Sequence, residues 1–396
     1  MSEKAEKAAS TTVDLFDDDV QKNPFSTYSS LLSSAPLAMD SRYGNHVLTR
    51  YEDVRLLADN AWLSAADGVD PAGRFPPGTY PDIERTDPPR HRRLRALLLK
   101  PFSARTTATW HDDVRAIFDD YFERIATDRF DVVDAICYPA PADVICSIMG
   151  FPAERREDYR RWSRALMNRL GQSLSDDDRN ALIEMARFMR EQVVARRSAP
   201  TSDLLSRLIE AEVDGERLSD NELVAHGVFL LAAGHETTTN LLSSIVFLFA
   251  QHPELYARLH ADRDGIETFV EEALRLEAPI QSICRTTLEE RELHGSTIPE
   301  DARVLFSLGA SGRDAAQFTE PDEIDLKRGN CTRHLAFGYG SHLCLGAPLA
   351  RLEARLFVEG LLDRFESIHR TGDEKRWTST VVRGFHHLVV QVERRQ

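Results

Sequence analysis

The sequence predicts a mostly α protein with minor β elements: a helix-rich body with a smaller β-rich region. Three observations carry this. Helical patterns dominate from about residue 82 to Gln251. One of them, between Ser219 and Pro253, is apolar nearly all round over about 30 residues, roughly 45 Å at 1.5 Å per residue, and reads as a helix buried through the middle of the molecule. Strand-like stretches bounded by turns are confined to "HVLTR" early on and to "LHGSTIPEDARVLFSLGAS" and "TVVRGFHHLVVQVERR" late in the chain.

The bulk properties bound the answer. The chain has 396 residues and 42% apolar content, enough for a large core without covalent staples. No Pro/Gly/Ser-rich linker divides it, so one domain over residues 15–396 is expected behind a polar N-terminus, residues 1–14, expected to be disordered. The net charge of −15 argues against nucleic acid as a partner. The N-terminus has no apolar run of the signal-peptide kind, and the expected setting is cytoplasmic, with no membrane. Five cysteines without a C-x-x-C pair make neither a disulfide framework nor a zinc module.

Taken in order, residues 24–65 read as a short helix, strands around "HVLTR" and a helix at "YEDVRLLAD". Residues 67–81 are rich in glycine and proline and read as a long loop, a feature often functional in a compact domain. Helices follow to Gln251. In the long apolar helix, Ser219 and Glu222 have capping-box spacing and Pro253 marks the end. Its centre is polar: Ala232, Ala233 and Gly234 precede His235, Glu236 and Thr237–Thr239. An ionisable pair at mid-helix disfavours a membrane span. Gly234 costs about 1 kcal/mol relative to alanine, and threonine hydroxyls bond back to carbonyls and bend a helix. The result is a kinked groove with a hydroxyl and a carboxylate beside it. Two readings stay open: a satisfied buried polar cluster, or a small ligand that needs proton delivery.

The stretch "HLAFGYGSHLCLGAPLARLE" sets a lone thiol, Cys344, among Gly338, Gly340 and Gly346, just before a helix opened by Pro348. A helix N-terminus stabilises a thiolate, the nucleophilic and metal-ligating form. His342 stands two residues away, a poor spacing for a catalytic base. A thiolate on a glycine loop facing a grooved helix suits axial ligation of haem iron better.

These residues together resemble the cytochrome P-450 family. Phe337–Gly346 matches its haem signature F-G-x-G-x-H-x-C-x-G. "AGHETT", 233–238, is similar to its oxygen-activating helix. "EALR", 272–275, matches E-x-x-R, and "DPPRHRRLR", 87–95, matches a segment of its soluble bacterial members. All four occur in the family's order, and the resemblance runs from about Phe25 to the end.

The resemblance implies a domain built around a buried haem b, iron protoporphyrin IX, with Cys344 as thiolate ligand and dioxygen as co-substrate. Phe337 would pack near the sulfur, with Gly338 and Gly346 shaping the loop. His91, Arg95, Arg285 and His342 would hold the propionates, and Ala233 and Gly234 would lie against the ring. Glu236 and Thr237 would be the proton-relay pair that serves dioxygen. Glu272, Arg275 and a downstream arginine, Arg328, would form a structural cluster. Phe229, Ala232, Gln281, Ile283 and Phe385 would line the substrate pocket, together with the 67–81 loop and residues around Met167–Ser175. Gln281 would bond a substrate atom or else backbone or water. Departures are "GRDA", 312–315, where the family often has N-R-D-P, and Ile324 where an aromatic is expected.

The implied activity is monooxygenation, hydroxylation or epoxidation of a small organic substrate, in natural-product tailoring. Electrons would come from a separate ferredoxin and ferredoxin reductase, since the chain has no flavin or iron–sulfur signature. The basic run Arg85, Arg90, Arg92, Arg93, Arg95, Lys100 and Arg105 offers a docking face or a solvated helix face. A monomer is expected. An oxidative coupling enzyme and a gas-binding haem protein remain the alternatives.

Overall fold

The computed structural model describes residues 11–66, 82–171 and 175–395. It is 54% helical and 17% strand, so the mostly α class holds. The β-rich region centres on a six-stranded sheet. Its spatial order is Thr11–Val13, Leu37–Asp40, His46–Leu48, Arg303–Ser307, Ser282–Thr287, Leu63–Ser64. Arg303–Ser307 runs parallel to His46–Leu48 and antiparallel to Ser282–Thr287, which stitches the early and late strand-like stretches into one sheet. Leu48, Trp62, Val304 and Phe306 fill one face and are fully buried.

Thr11–Val13 corrects the disorder expected through residue 14. It pairs in parallel with Ala38–Asp40, and Leu15 just beyond it is buried with Leu31, Ala38 and Val47. Val13 and Leu15 are a two-residue alternation, too short to stand out by period alone, and tertiary pairing holds it. Residues 1–10 lie outside the described residues, as does the 67–81 loop.

The long apolar helix is realised as two segments, Asp220–Ala233 and Glu236–Gln251, broken at Gly234 and His235. The capping box closes as the spacing predicts: Ser219 Oγ accepts from the Glu222 amide, and the Glu222 carboxylate accepts from the Ser219 amide at 2.9 Å. The bending device is also visible. Thr237 Oγ1 donates to the Ala233 carbonyl at 2.7 Å, and Thr239 Oγ1 to the His235 carbonyl at 3.1 Å.

Around the second segment pack Ile266–Leu276 and Ala347–Arg364, with Leu242, Ile245, Phe249, Phe269 and Phe357 at zero exposure. Phe249 stacks on Phe269 at 4.4 Å, an offset-stacking distance. At the C-terminus Phe365–Arg376 and Phe385–Arg394 form an antiparallel ribbon that Arg129–Asp131 joins. No helix among the described residues is long and apolar enough to cross a membrane.

Candidate functional site

The cysteine loop is shaped by its glycines where a side chain has no room. Gly338 and Gly340 have φ of +75° and +78°, in the left-handed region. A Cβ on Gly340 would stand 2.5 Å from Ala58 Cα, so the loop is pressed against the Arg55–Ala58 turn. The Cys344 amide donates to the Phe337 carbonyl at 2.9 Å and closes the loop. The thiol then sits immediately before the Ala347–Arg364 helix, where the amides of Gly346 and Ala347 point at it. Burial pushes the thiol pKa up, while those amides and the charges of Arg95 and Arg351 pull it back. Yet Cys344 is exposed. We read the exposed side of the sulfur as opening onto an interior cleft, since exposure and dense surrounding protein then hold together.

Four basic side chains converge on that cleft. His91 and His342 lie ring to ring, centroids 4.0 Å apart. Both nitrogens of His91 and Nε2 of His342 are buried without a hydrogen-bond partner among the described residues. Burial, with the charge of Arg285, drives the His342 pKa down to about 3; burial and Arg95 lower that of His91. Arg95, on the Arg90–Leu99 helix with His91, is pushed down by burial. So is Arg285, whose guanidinium donates to the Cys284 carbonyl at 2.8 Å. Unsatisfied imidazoles and underpaired guanidiniums are costly to bury, and a ligand bearing carboxylates removes that cost.

One acid stands near them that sequence reasoning missed. Glu84, on the Ile83–Arg85 turn, has its pKa raised to about 7 by burial and by Asp82, offset by Arg85 and Arg285. Its type and spacing carry no signal, because only the fold brings that turn beside Arg285.

The broken helix supplies another wall. In a helix otherwise mostly buried, Phe229, Ala233 and Thr237 are half-buried at a spacing of four, one stripe along one face, with Gly234 beside it. Ala232 is buried at 8% exposure and lies off the stripe. His235 is locked away from it. Its Nε2 donates to the Tyr138 carbonyl at 2.8 Å, which leaves Nδ1 to accept from Ser163 Oγ at 2.7 Å. Burial holds it neutral, with a pKa of about 4. Glu236 is the opposite case: burial raises its carboxyl to about 7, and Arg164 offsets this only in part. Near neutral pH it can hold or release a proton.

Of the pocket candidates, Gln281 follows its backbone-bonded reading and Phe385 is corrected. Gln281 turns away from the cleft: Tyr28 Oη donates to its Oε1 at 2.9 Å, and its Nε2 donates to the Ala278 carbonyl at 2.7 Å. Both polar atoms of this buried amide are engaged within the protein, which fixes it away from a substrate. Phe385 is a core residue, 1% exposed, with its ring 4.9 Å from Phe247 and under the Arg376 guanidinium. Ile283 does approach the loop: a Cβ on Gly338 would stand 3.7 Å from its Cδ1. The wall expected around Met167–Ser175 falls largely outside the described residues.

Behind the loop lies its support. Glu272 and Arg275 are fully buried and bidentate, with Arg275 Nε and Nη2 at 2.7 and 2.9 Å from the two carboxylate oxygens. Arg328 Nε adds a third contact at 2.9 Å. Arg275 also donates to the carbonyls of Gly312, Pro321 and Glu323. This explains "GRDA": a Cβ on Gly312 would stand 2.3 Å from the Arg275 carbonyl oxygen. A second acid, Glu271, also went unread. It binds Arg351 at 2.6 and 2.8 Å and His334 at 3.1 Å. Burial works to raise its carboxyl, but these partners hold it at about 2. Arg351 in turn lies 4.6 Å over the Phe337 ring, linking the acid to the cysteine loop.

The basic run is less uniform than its composition. Arg93 is bound to Glu216 and Glu222, Arg90 approaches Glu222 at 3.9 Å, and Arg95 faces the cleft. Arg92, Lys100 and Arg105 remain exposed.

Comparisons with known proteins agree on one family. The family model "Cytochrome P450", written cytochrome P-450 here, matches residues 158–385. Cytochrome P-450 107B1 of Saccharopolyspora erythraea is 36% identical over 87% of this chain and 88% of its own. The vitamin D(3) 25-hydroxylase of Pseudonocardia autotrophica is 35% identical over 95% of this chain and 96% of its own. Among solved structures, cytochrome P-450 CYP109Q5 from Chondromyces apiculatus superposes with a TM-score of 0.89 at 32% identity, covering 97% of this chain and 99% of that one.

Proposed function

The chain belongs to the cytochrome P-450 family of haem-thiolate monooxygenases, and on that footing we propose that Cys344 is its iron ligand and a small organic molecule its substrate. The observation that carries this reading is the clustering of one thiol with four basic side chains. The cofactor is haem b. Cys344 would hold its iron, the glycines at 338, 340 and 346 would let the backbone approach the flat ring, and His91, Arg95, Arg285 and His342 would take its two propionates. Unpartnered imidazole nitrogens, and two guanidiniums whose pKa burial lowers, fit that load.

When bound, haem supplies the activation of dioxygen by two electrons, so that one oxygen atom enters the substrate. The chain supplies position and protons. Thr237 directs its hydrogen at the Ala233 carbonyl, which leaves its oxygen free to accept from, or turn and donate to, a group in the cleft. Glu236, near neutrality at about 7, carries protons toward that hydroxyl. Phe229 and Ala233 hold an apolar substrate and exclude water. Arg351 and the amides of Gly346 and Ala347 favour the thiolate over the thiol. The exposed Arg92, Lys100 and Arg105 support docking of an acidic ferredoxin, a smaller face than composition suggests. Natural-product tailoring by hydroxylation or epoxidation is the role we assign.

The test is turnover with isotopically labelled dioxygen on a substrate selected by its shift of the haem spin state. Label in a hydroxylated or epoxidised product supports the reading. Oxygen consumption with an unlabelled product joined by a new bond between substrate atoms overturns it in favour of oxidative coupling.

A further inference from the structure

A second charged site is lined by none of the described residues placed around Cys344 above. A cavity of about 360 Å³ opens between the junction of the Asp18–Lys22 and Phe25–Ser34 helices, the end of the Glu236–Gln251 helix and the C-terminal ribbon. Arg313, Arg376 and Arg383 line it, together with Glu277 and Asp322. Their side chains are 12%, 13%, 5%, 4% and 70% exposed in that order. Three guanidiniums therefore face one buried carboxylate, and the second carboxylate stands mostly in solvent, where it neutralises little.

The hydrogen bonds show the same imbalance. Glu277 is taken by Arg383 at 2.7 Å and by Arg376 at 3.2 Å. Arg313 reaches Asp322 and the Leu276 carbonyl, and its Nε is buried with no partner among the described residues. Burial pushes the Arg376 guanidinium down to about 10 despite Glu277, the mark of a cation short of counter-charge. Phe25 and Phe247 support the guanidiniums by their ring faces, Arg313 at 3.8 Å and Arg376 at 4.4 Å from the centroids, which fixes the forks in place. The helix C-terminus at Gln251 opposes an anion, but a helix end is weaker than charge-assisted contacts from planar forks.

We propose that this cavity is a binding site for an oxyanion, a phosphate or carboxylate group on a compact body, held between Arg376 and Arg313. Leu248 and Ile324 on its wall leave room for a short apolar part. The inference does not rest on the identity of the substrate or on the haem ligand.

The test uses purified holoenzyme and follows thermal unfolding against inorganic phosphate and, separately, benzoate, with ionic strength held constant by chloride. A saturable rise in melting temperature is expected for at least one anion. Saturation with phosphate alone identifies a phosphate-bearing ligand, and with benzoate alone a carboxylate. Arg376→Gln should weaken the response about tenfold or more, the loss of one charge-assisted contact, because Glu277 keeps Arg383. Glu277→Gln should tighten it, because a competing negative charge is gone. A response that tracks ionic strength equally in phosphate, benzoate and chloride overturns the proposal on the wild-type protein alone. So does an equal, saturable response in wild type and Arg376→Gln.

Discussion

Replacing Arg275 by methionine removes a guanidinium of zero exposure from the centre of five hydrogen bonds. Two go to Glu272 and one each to the carbonyls of Gly312, Pro321 and Glu323. Glu272 is not left alone, since Arg328 Nε at 2.9 Å and the Asp325 amide at 3.0 Å remain. The charge penalty therefore falls near the low end, about 3 kcal/mol, of what breaking a buried pair costs. Stranding the buried Gly312 carbonyl, with the part-buried Pro321 carbonyl, adds about 1 kcal/mol or more, while the Glu323 carbonyl keeps Arg328 Nη2 at 3.0 Å. A total of about 4 kcal/mol is a large share of an ordinary domain's stability. Urea unfolding followed by circular dichroism at neutral pH measures it. The control is Arg124→Met, which breaks an i,i+4 pair with Asp120 at 54% and 52% exposure and should cost under about 0.5 kcal/mol. The pH dependence has a definite sign. Burial works to raise the Glu272 carboxyl, but Arg275, the Asp325 amide and Arg328 together outweigh it and hold the pKa below the ordinary value. Stability from the cluster is thus complete above the unfolded carboxylate range and is lost as pH falls through the lower folded value, so the gap between wild type and Arg275→Met should shrink in acid. Equal losses in Arg275→Met and Arg124→Met would refute the reasoning.

Further outcomes follow from the same geometry. Glu236 has a raised pKa of about 7, so its protonated fraction falls as pH rises through neutrality; product formed per reducing equivalent should fall with it, and Glu236→Gln should be flat with pH and slower by about a hundredfold, read by product analysis against reductant consumption. The same raised value predicts that Glu236 contributes stability below the unfolded carboxylate range and loses it as pH rises through about 7, so Glu236→Gln should be the more stable protein at pH 8 in thermal unfolding. Gly340→Ala meets Ala58 Cα at 2.5 Å from a backbone at φ +78°, and should cost about 2 kcal/mol or more and lower the haem content of purified protein. Gln281→Leu strands the Tyr28 hydroxyl and the Ala278 carbonyl, and should lose about 2 kcal/mol in urea unfolding while leaving substrate-induced spin shifts unchanged.

What could be read from the sequence was what is local. The capping box at Ser219 and Glu222, the break at Gly234, the glycines around Cys344 and the three-residue spacing of Glu272 and Arg275 each act within a turn or two, so the order of residues carries them. Phe385 went to the wrong surroundings, and the two readings of Gln281 stayed open, for the converse reason. Each is set by a partner far along the chain, Tyr28 for the amide and Phe247 for the ring. Glu84 and Glu271 had no visible signal, since an acid beside a distant arginine looks like any solvated acid until the fold brings Arg285 and Arg351 to it. The strand Phe365–Arg376 escaped because its register shifts against Phe385–Arg394 at three places, which breaks the period-two alternation.

The central claim is that Cys344, at the mouth of its helix and open to the cleft, ligates haem iron as a thiolate. The direct test is the carbon monoxide difference spectrum of the reduced protein, wild type beside Cys344→Ser. The account predicts a strongly red-shifted Soret band in the wild type that is absent from the variant. A wild-type band at the position typical of imidazole or neutral thiol ligation, or a red-shifted band that persists in Cys344→Ser, would contradict it.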